Sequence, residues 1–224
     1  MKAFYVLFAV ALGVSTSCLG AETKECDTTG ADEGSVTVLE LHSPEQLDAF
    51  EGCTILNGHI IIQSDYDGDF SLNGVTTVNG NISTVDEGAE YLNLFEMQDL
   101  ENIDHLHLLG ISGDVNIPNL ESLGDLELVQ TSTSGNADLT ALAEADNLSV
   151  RGSWTSTKFS SLKTVTVQCQ FCGSQTCEIY GDERKFPYIT VNLPSLEKAD
   201  KLEVAGAVKR FVLCPWTKNI YSHS

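Results

Sequence analysis

Residues 120–128 read LESLGDLEL, and the spacing of their leucines decides the fold. Leu120, Leu123 and Leu126 are separated by two residues each, and Leu128 follows after a single one. The frame recurs at Leu100, Ile103, Leu106, Leu108 and at Leu142, Ala145, Leu148, Val150. It recurs again at Phe159, Leu162, Val165, Val167 and at Leu196, Ala199, Leu202, Val204. Two copies nearer the N-terminus hold an extra residue, filled by glycine: Phe50, Cys53, Leu56, Gly58, Ile60, Ile62, and Leu72, Val75, Val78, Gly80, Ile82.

The seven copies begin at positions 50, 72, 100, 120, 142, 159 and 196. A period near twenty belongs to solenoids, in which each coil buries its apolar edge only by stacking on its neighbours. The closing apolar-x-apolar step has period two and predicts a short strand with Leu126 and Leu128 inward. The glycines permit a tight entry into the first strands. Pro118 and Pro194 supply rigid corners before Leu120 and Leu196. Ser43 and Pro44 are N-cap and first-turn residues of a short helix over 44–50, expected to cap the open first coil. The chain is thus expected to be mainly β, a short parallel, leucine-rich-repeat-like solenoid stapled by disulfides.

The N-terminus sets the expected compartment. Lys2 precedes an apolar run over 3–14, AFYVLFAVALGV, followed by small and polar residues. That is the pattern of a secretory leader over 1–20, too short to span a bilayer. One domain over 21–224 follows, with a cysteine-rich insertion at about 168–190. Beyond the leader stand Cys26, Cys53, Cys169, Cys172, Cys177 and Cys214. An even set in an oxidising compartment reads as disulfides, with fifteen possible connectivities. Zinc on Cys169, Cys172, Cys177 and Cys214 is the weaker reading, because the CxxC is not followed by a second one.

Twelve basic against 32 acidic residues give a net charge of −20. Such a surface repels phosphate backbones, so no nucleic-acid partner is expected.

The stretch LHSPEQLDAFEGCTILNGHIII resembles the start of receptor L-domains: a polar helix, a cysteine, then a glycine turn into a strand. FSLNGVTTVNGNIS, NLESLGDLELV and LPSLEKADKLEV are similar to coils of the fungal GPI-anchored cell-wall organisation and sporulation-related branch of that superfamily. The resemblance covers roughly residues 26–204. It implies a right-handed parallel β-helix, a capping Cys26–Cys53 disulfide and a non-enzymatic role in cell-wall or surface organisation. The final CPWTKNIYSHS carries no GPI-attachment signal, so the expectation is a secreted protein, extracellular or associated with the wall. The partner expected is a wall polysaccharide or a surface protein.

Aligned strands predict two outward rows. One runs His59, Asn81, His105, Asp125, Asn147, Thr164, Lys201; the other runs Ile61, Ser83, His107, Glu127, Ser149, Thr166, Glu203. Rungs of a parallel sheet lie about 4.8 Å apart, which makes His105, His107, Asp125 and Glu127 a surface patch. Two carboxylates there suit general acid and base chemistry on a glycan, and histidines with a carboxylate suit a metal. The simpler reading is a solvated polar face with no catalytic residues, no metal and no cofactor. A carbohydrate-active enzyme, or a secreted effector or ligand-binding module, are the alternatives. Asn81 and Asn147 head N-glycosylation sequons in the same row. Asp65, Asp67 and Asp69 alternate like a calcium loop, but Thr76 stands where the twelfth-position glutamate belongs, and an Asp-Gly turn is preferred. Trp154 and Trp216 are suited either to stack on sugar rings or to pack inside.

Overall fold

The structure, a computed structural model, describes residues 23–28, 38–172, 189–199, 202–205 and 208–213. The leader, Cys177, Cys214, Trp216 and Lys201 lie outside them, as do the side chains of Cys169 and Cys172. Parallel coils stack into a β-solenoid of about six turns. The strands of successive coils form three parallel ladders.

The first ladder starts at Glu25–Asp27 and continues through Ile55–Asn57. Its inward row is Cys26, Leu56, Val78, Ile103, Leu123, Ala145, Val165 and Ala199, each paired with the next. The second ladder starts at Val38–Leu41 and His59–Ile62, and its inward row includes Ile60, Ile82, Leu106, Leu126 and Leu148. The third starts at Gly68–Ser71 and Leu92–Glu96. It places Phe70 on Phe95 as stacked rings with centroids 4.5 Å apart. Leu56, Ile60, Phe70, Leu106 and Leu128 are wholly buried. Each contributes about 1.5–3 kcal/mol relative to exposure, against the entropy of ordering a coil.

The corner between the third and first ladders carries one apolar position more than the four-residue frame. Met97, Ile117 and Leu139 are buried three residues before Leu100, Leu120 and Leu142. In each case the later amide donates to the earlier carbonyl, as Leu142 does to Leu139 at 3.2 Å, closing a turn. Pro118 and Pro194 hold the second position of such turns, where a fixed φ is favoured. The copies beginning at Phe50 and Leu72 already start from this corner, since Leu56 and Val78 pair in line with Ile103.

The same alignment corrects the sixth copy, the one beginning at Phe159. Phe159 is the corner residue, equivalent to Leu139, because Leu162 N–H donates to its carbonyl at 3.3 Å. Ala145 then pairs with Val165, Leu148 with Cys169 and Val150 with Phe171. In backbone register the frame is therefore Leu162, Val165, Cys169, Phe171, with one extra residue before Cys169. Gln168 and Gln170, rather than Thr164 and Thr166, stand in register with Asn147 and Ser149. The expected frame slipped because Val165 and Val167 satisfy period two as well as Cys169 and Phe171 do.

The glycine turns stand. Gly80 has φ +148°, and a Cβ there would lie 2.1 Å from the Gly58 carbonyl oxygen. No other residue fits that stacked corner.

A coil absent from the seven frames precedes them: Glu25–Asp27, Val38–Leu41 and the helix Pro44–Phe50. The helix is 3-10, with Leu47 and Phe50 buried, and the Gln46 side-chain oxygen accepts from Ser43 N–H at 3.0 Å. It stands where the third strand of this coil would be. A Cβ on Gly68 would meet Pro44 Cγ at 2.8 Å, so the helix closes the end of the third ladder. Cys26 and Cys53 form a disulfide with Cα atoms 6.0 Å apart.

Candidate functional site

The outward side of the second ladder carries the chemistry. Strand alternation turns its buried residues inward and leaves His59, Asn81, His105, Asp125 and Asn147 in one row. Ile61, Ser83, His107, Glu127 and Ser149 form the other. The expected neighbours around His105, His107, Asp125 and Glu127 are therefore in register.

Two histidines repeat one device. His59 Nδ1 accepts the Asn81 backbone N–H at 3.0 Å, and His105 Nδ1 accepts that of Asp125 at 3.2 Å. Each ring closes over the backbone of the next coil. His105 Nδ1 also lies 3.1 Å from Asp125 Oδ2, and Asn147 Nδ2 donates to Asp125 Oδ1 at 2.5 Å. The rings of His105 and His107 are 6.1 Å apart between centroids and tilted. One donor atom from each of His105, His107 and Asp125 lies within 4.8 Å of the others, the only such group of three among the described residues. Burial lowers the His107 pKa, outweighing the Asp125 charge, and His105 lowers it further.

Glu127 stands in the patch but is committed elsewhere. Its carboxylate pairs with the Arg151 guanidinium on the next coil. Glu127 and Asp125 are therefore each engaged by a neighbouring side chain rather than being two free carboxyls.

Two depressions flank the histidines. A groove of about 460 Å³ follows the bend between the first and second ladders, lined by Asn79, Asn102, Asp104, His105, Ser122, Glu144, Asp146 and Thr164. It crosses five coils along the solenoid axis. A smaller one of about 270 Å³ is lined by His107, Asp125, Glu127, Asn147 and Ser149.

The remaining sequence candidates fall as follows. Trp154 is wholly buried, with Nε1 donating to the Arg151 carbonyl at 2.9 Å, so it packs inside and cannot stack on a sugar. Asp65, Asp67 and Asp69 do not converge: Asp65 faces His42 Nδ1 at 2.8 Å, and the Asp69 carbonyl accepts from Tyr66 Oη at 2.8 Å. Asn81 and Asn147 both lie on the outward row. Arg151 escaped the sequence reading because it lies beyond the apolar-x-apolar step, on the edge of the frame. No helix among the described residues is long and apolar enough to cross a membrane.

No protein-family model matches the chain, and neither a curated protein nor a solved structure does.

Proposed function

We propose that the chain is a secreted, non-catalytic, receptor L-domain-like module of the cell surface or wall. In this reading it recognises a neutral, hydroxyl-rich polysaccharide along its solenoid axis. The observation that carries the proposal is the groove beside His105. It is open, each of the five coils it crosses presents at least one amide, hydroxyl or carboxylate to it, and its rungs repeat at about 4.8 Å. An extended polymer is the shape that reads such a surface, and paired hydroxyls are the groups that satisfy these donors and acceptors. The net charge of −20 disfavours an acidic polymer. The leader-like N-terminus supports the compartment, and the terminal disulfide and short helix support the L-domain comparison. A glycan on Asn81 would project from the same outward face and border the groove rather than fill it, whereas Asn147 Nδ2 is engaged by Asp125 Oδ1.

The test is retention of the purified chain on insoluble neutral and acidic wall polysaccharides, beside a Ser122→Trp variant that fills the groove. Retention on the neutral polymer alone, lost in the variant, is the expected result. Equal retention of both proteins refutes the groove. Release of reducing ends by the intact chain refutes the non-catalytic reading and restores the enzyme alternative.

A further inference from the structure

We propose that His105, His107 and Asp125 form a binding site for a borderline divalent transition-metal ion, Zn²⁺ or Cu²⁺, on the outer face of the second ladder. The site goes beyond the polysaccharide reading and does not depend on it.

The fold brings the three donors together by register alone. His105 and His107 are two residues apart on one strand, so both project from the same face. Asp125 pairs directly with His105 on the next rung. Their donor atoms already lie within 4.8 Å of one another. Tetrahedral zinc, with bonds of about 2.0–2.1 Å, needs donors about 3.3 Å apart. The approach required is therefore about 1.5 Å at most, within reach of side-chain rotation by half-exposed residues. Two imidazoles and a carboxylate are a donor set for zinc or copper rather than calcium or magnesium, which prefer oxygen alone.

Support behind the donors points the same way. Asn147 holds Asp125 Oδ1 at 2.5 Å, which leaves Oδ2 on the histidine side to meet an ion. A ligand carboxylate fixed in this manner by a neighbouring amide is the usual outer support of a metal site. Glu127, the other nearby carboxylate, is neutralised by Arg151 and does not compete for the ion. The depression lined by His107, Asp125 and Ser149 leaves room for further ligands, water or an oxygen donor from a partner. The strongly negative chain raises the local concentration of any cation.

The test uses the full secreted chain, purified without a histidine tag and treated with chelator. Zn²⁺ is titrated calorimetrically, and Co²⁺ is added as a spectroscopic probe of mixed nitrogen and oxygen coordination. One ion per chain is expected. His107→Ala and Asp125→Asn should each weaken binding by roughly tenfold or more, the scale at which even outer partners of metal sites act. His42→Ala and His59→Ala should leave it unchanged. His107 makes no backbone bond of the kind that His105 makes, so its loss spares the ladder, and an unchanged melting temperature in metal-free buffer verifies this. Absence of Zn²⁺ binding by the folded chain overturns the proposal. So does binding that survives in the His107→Ala, Asp125→Asn double variant, which would place the ion elsewhere.

Discussion

Removal of the Cys26–Cys53 bridge should loosen one coil and leave the others alone. The bridge spans 27 residues. In the chain-entropy treatment a loop of that length restricts the unfolded segment by about 12 cal/mol/K, or about 3.5 kcal/mol at 25 °C. The enclosed residues are almost the whole first coil, Glu25–Asp27, Val38–Leu41 and Pro44–Phe50. In a solenoid each coil touches only its neighbours, so the loss is felt locally rather than shared. Native-state hydrogen exchange reads this directly. The amides of Thr54 and Ile55 donate to the Lys24 carbonyl, and that of Gln63 donates to the Leu41 carbonyl. In a Cys26→Ala, Cys53→Ala variant they should exchange about 300-fold faster, since about 1.4 kcal/mol is tenfold. The Glu121 amide, bonded to the Glu101 carbonyl three coils away, should keep its protection. Unchanged exchange at Thr54, or an equal loss at Glu121, would refute the reasoning.

Other perturbations follow from single contacts. Gly152 has φ +102°, and a Cβ there would lie 2.1 Å from the Gln130 carbonyl oxygen. Gly152→Ala should therefore cost about 2–3 kcal/mol and lower the melting temperature by roughly 5–10 °C. Leu106→Ala, at a wholly buried position, should cost about 2–5 kcal/mol by denaturant titration. Glu127→Ala leaves the Arg151 guanidinium unpaired beside an Nε that already lacks a protein acceptor, and should cost about 1–3 kcal/mol. Burial raises the Asp138 pKa, but hydrogen bonds from Lys158 and Thr140 and the Lys158 charge outweigh it, so the net shift is downward. The stability this contributes is present above the ordinary aspartate pKa and is lost as pH falls through the depressed one. The deficit of Asp138→Asn against the native chain should accordingly be full at pH 6 and shrink toward pH 2.

The apolar frame made the stacking legible, and with it the facing of the second-ladder strands from His59 to Ser149, but not the third ladder of Gly68–Ser71, Leu92–Glu96 and Asp114–Asn116. The patch neighbours followed, because two residues along a strand and one rung across are fixed by register. What stayed hidden has physical causes. The corner residues Met97, Ile117 and Leu139 pack as core, yet they lie outside the alternating step that marks a strand. The sixth copy slips because Val165 and Val167 offer an alternation as good as that of Cys169 and Phe171. The first coil showed no leucine frame, since its inward residue on the first ladder is Cys26 and its third strand is replaced by a helix. At the site, the pairing of Glu127 with Arg151 runs diagonally to a residue beyond the repeat, where no periodicity points. The closeness of His105, His107 and Asp125 was expected, but only the direction of each side chain makes them a candidate ligand set.

The corner turns have a consequence for how such a chain can change in length. From Ile117 to Leu139 the path closes one circuit and returns to an equivalent corner one rung higher, with Ala137 still paired to Val115. A segment copied between two such corners begins and ends in the same geometry, so a whole coil can be inserted without disturbing the coils on either side. The module is in effect extensible in units of one rung. A lengthened version would carry a longer groove, with His105, His107 and Asp125 still on neighbouring rungs.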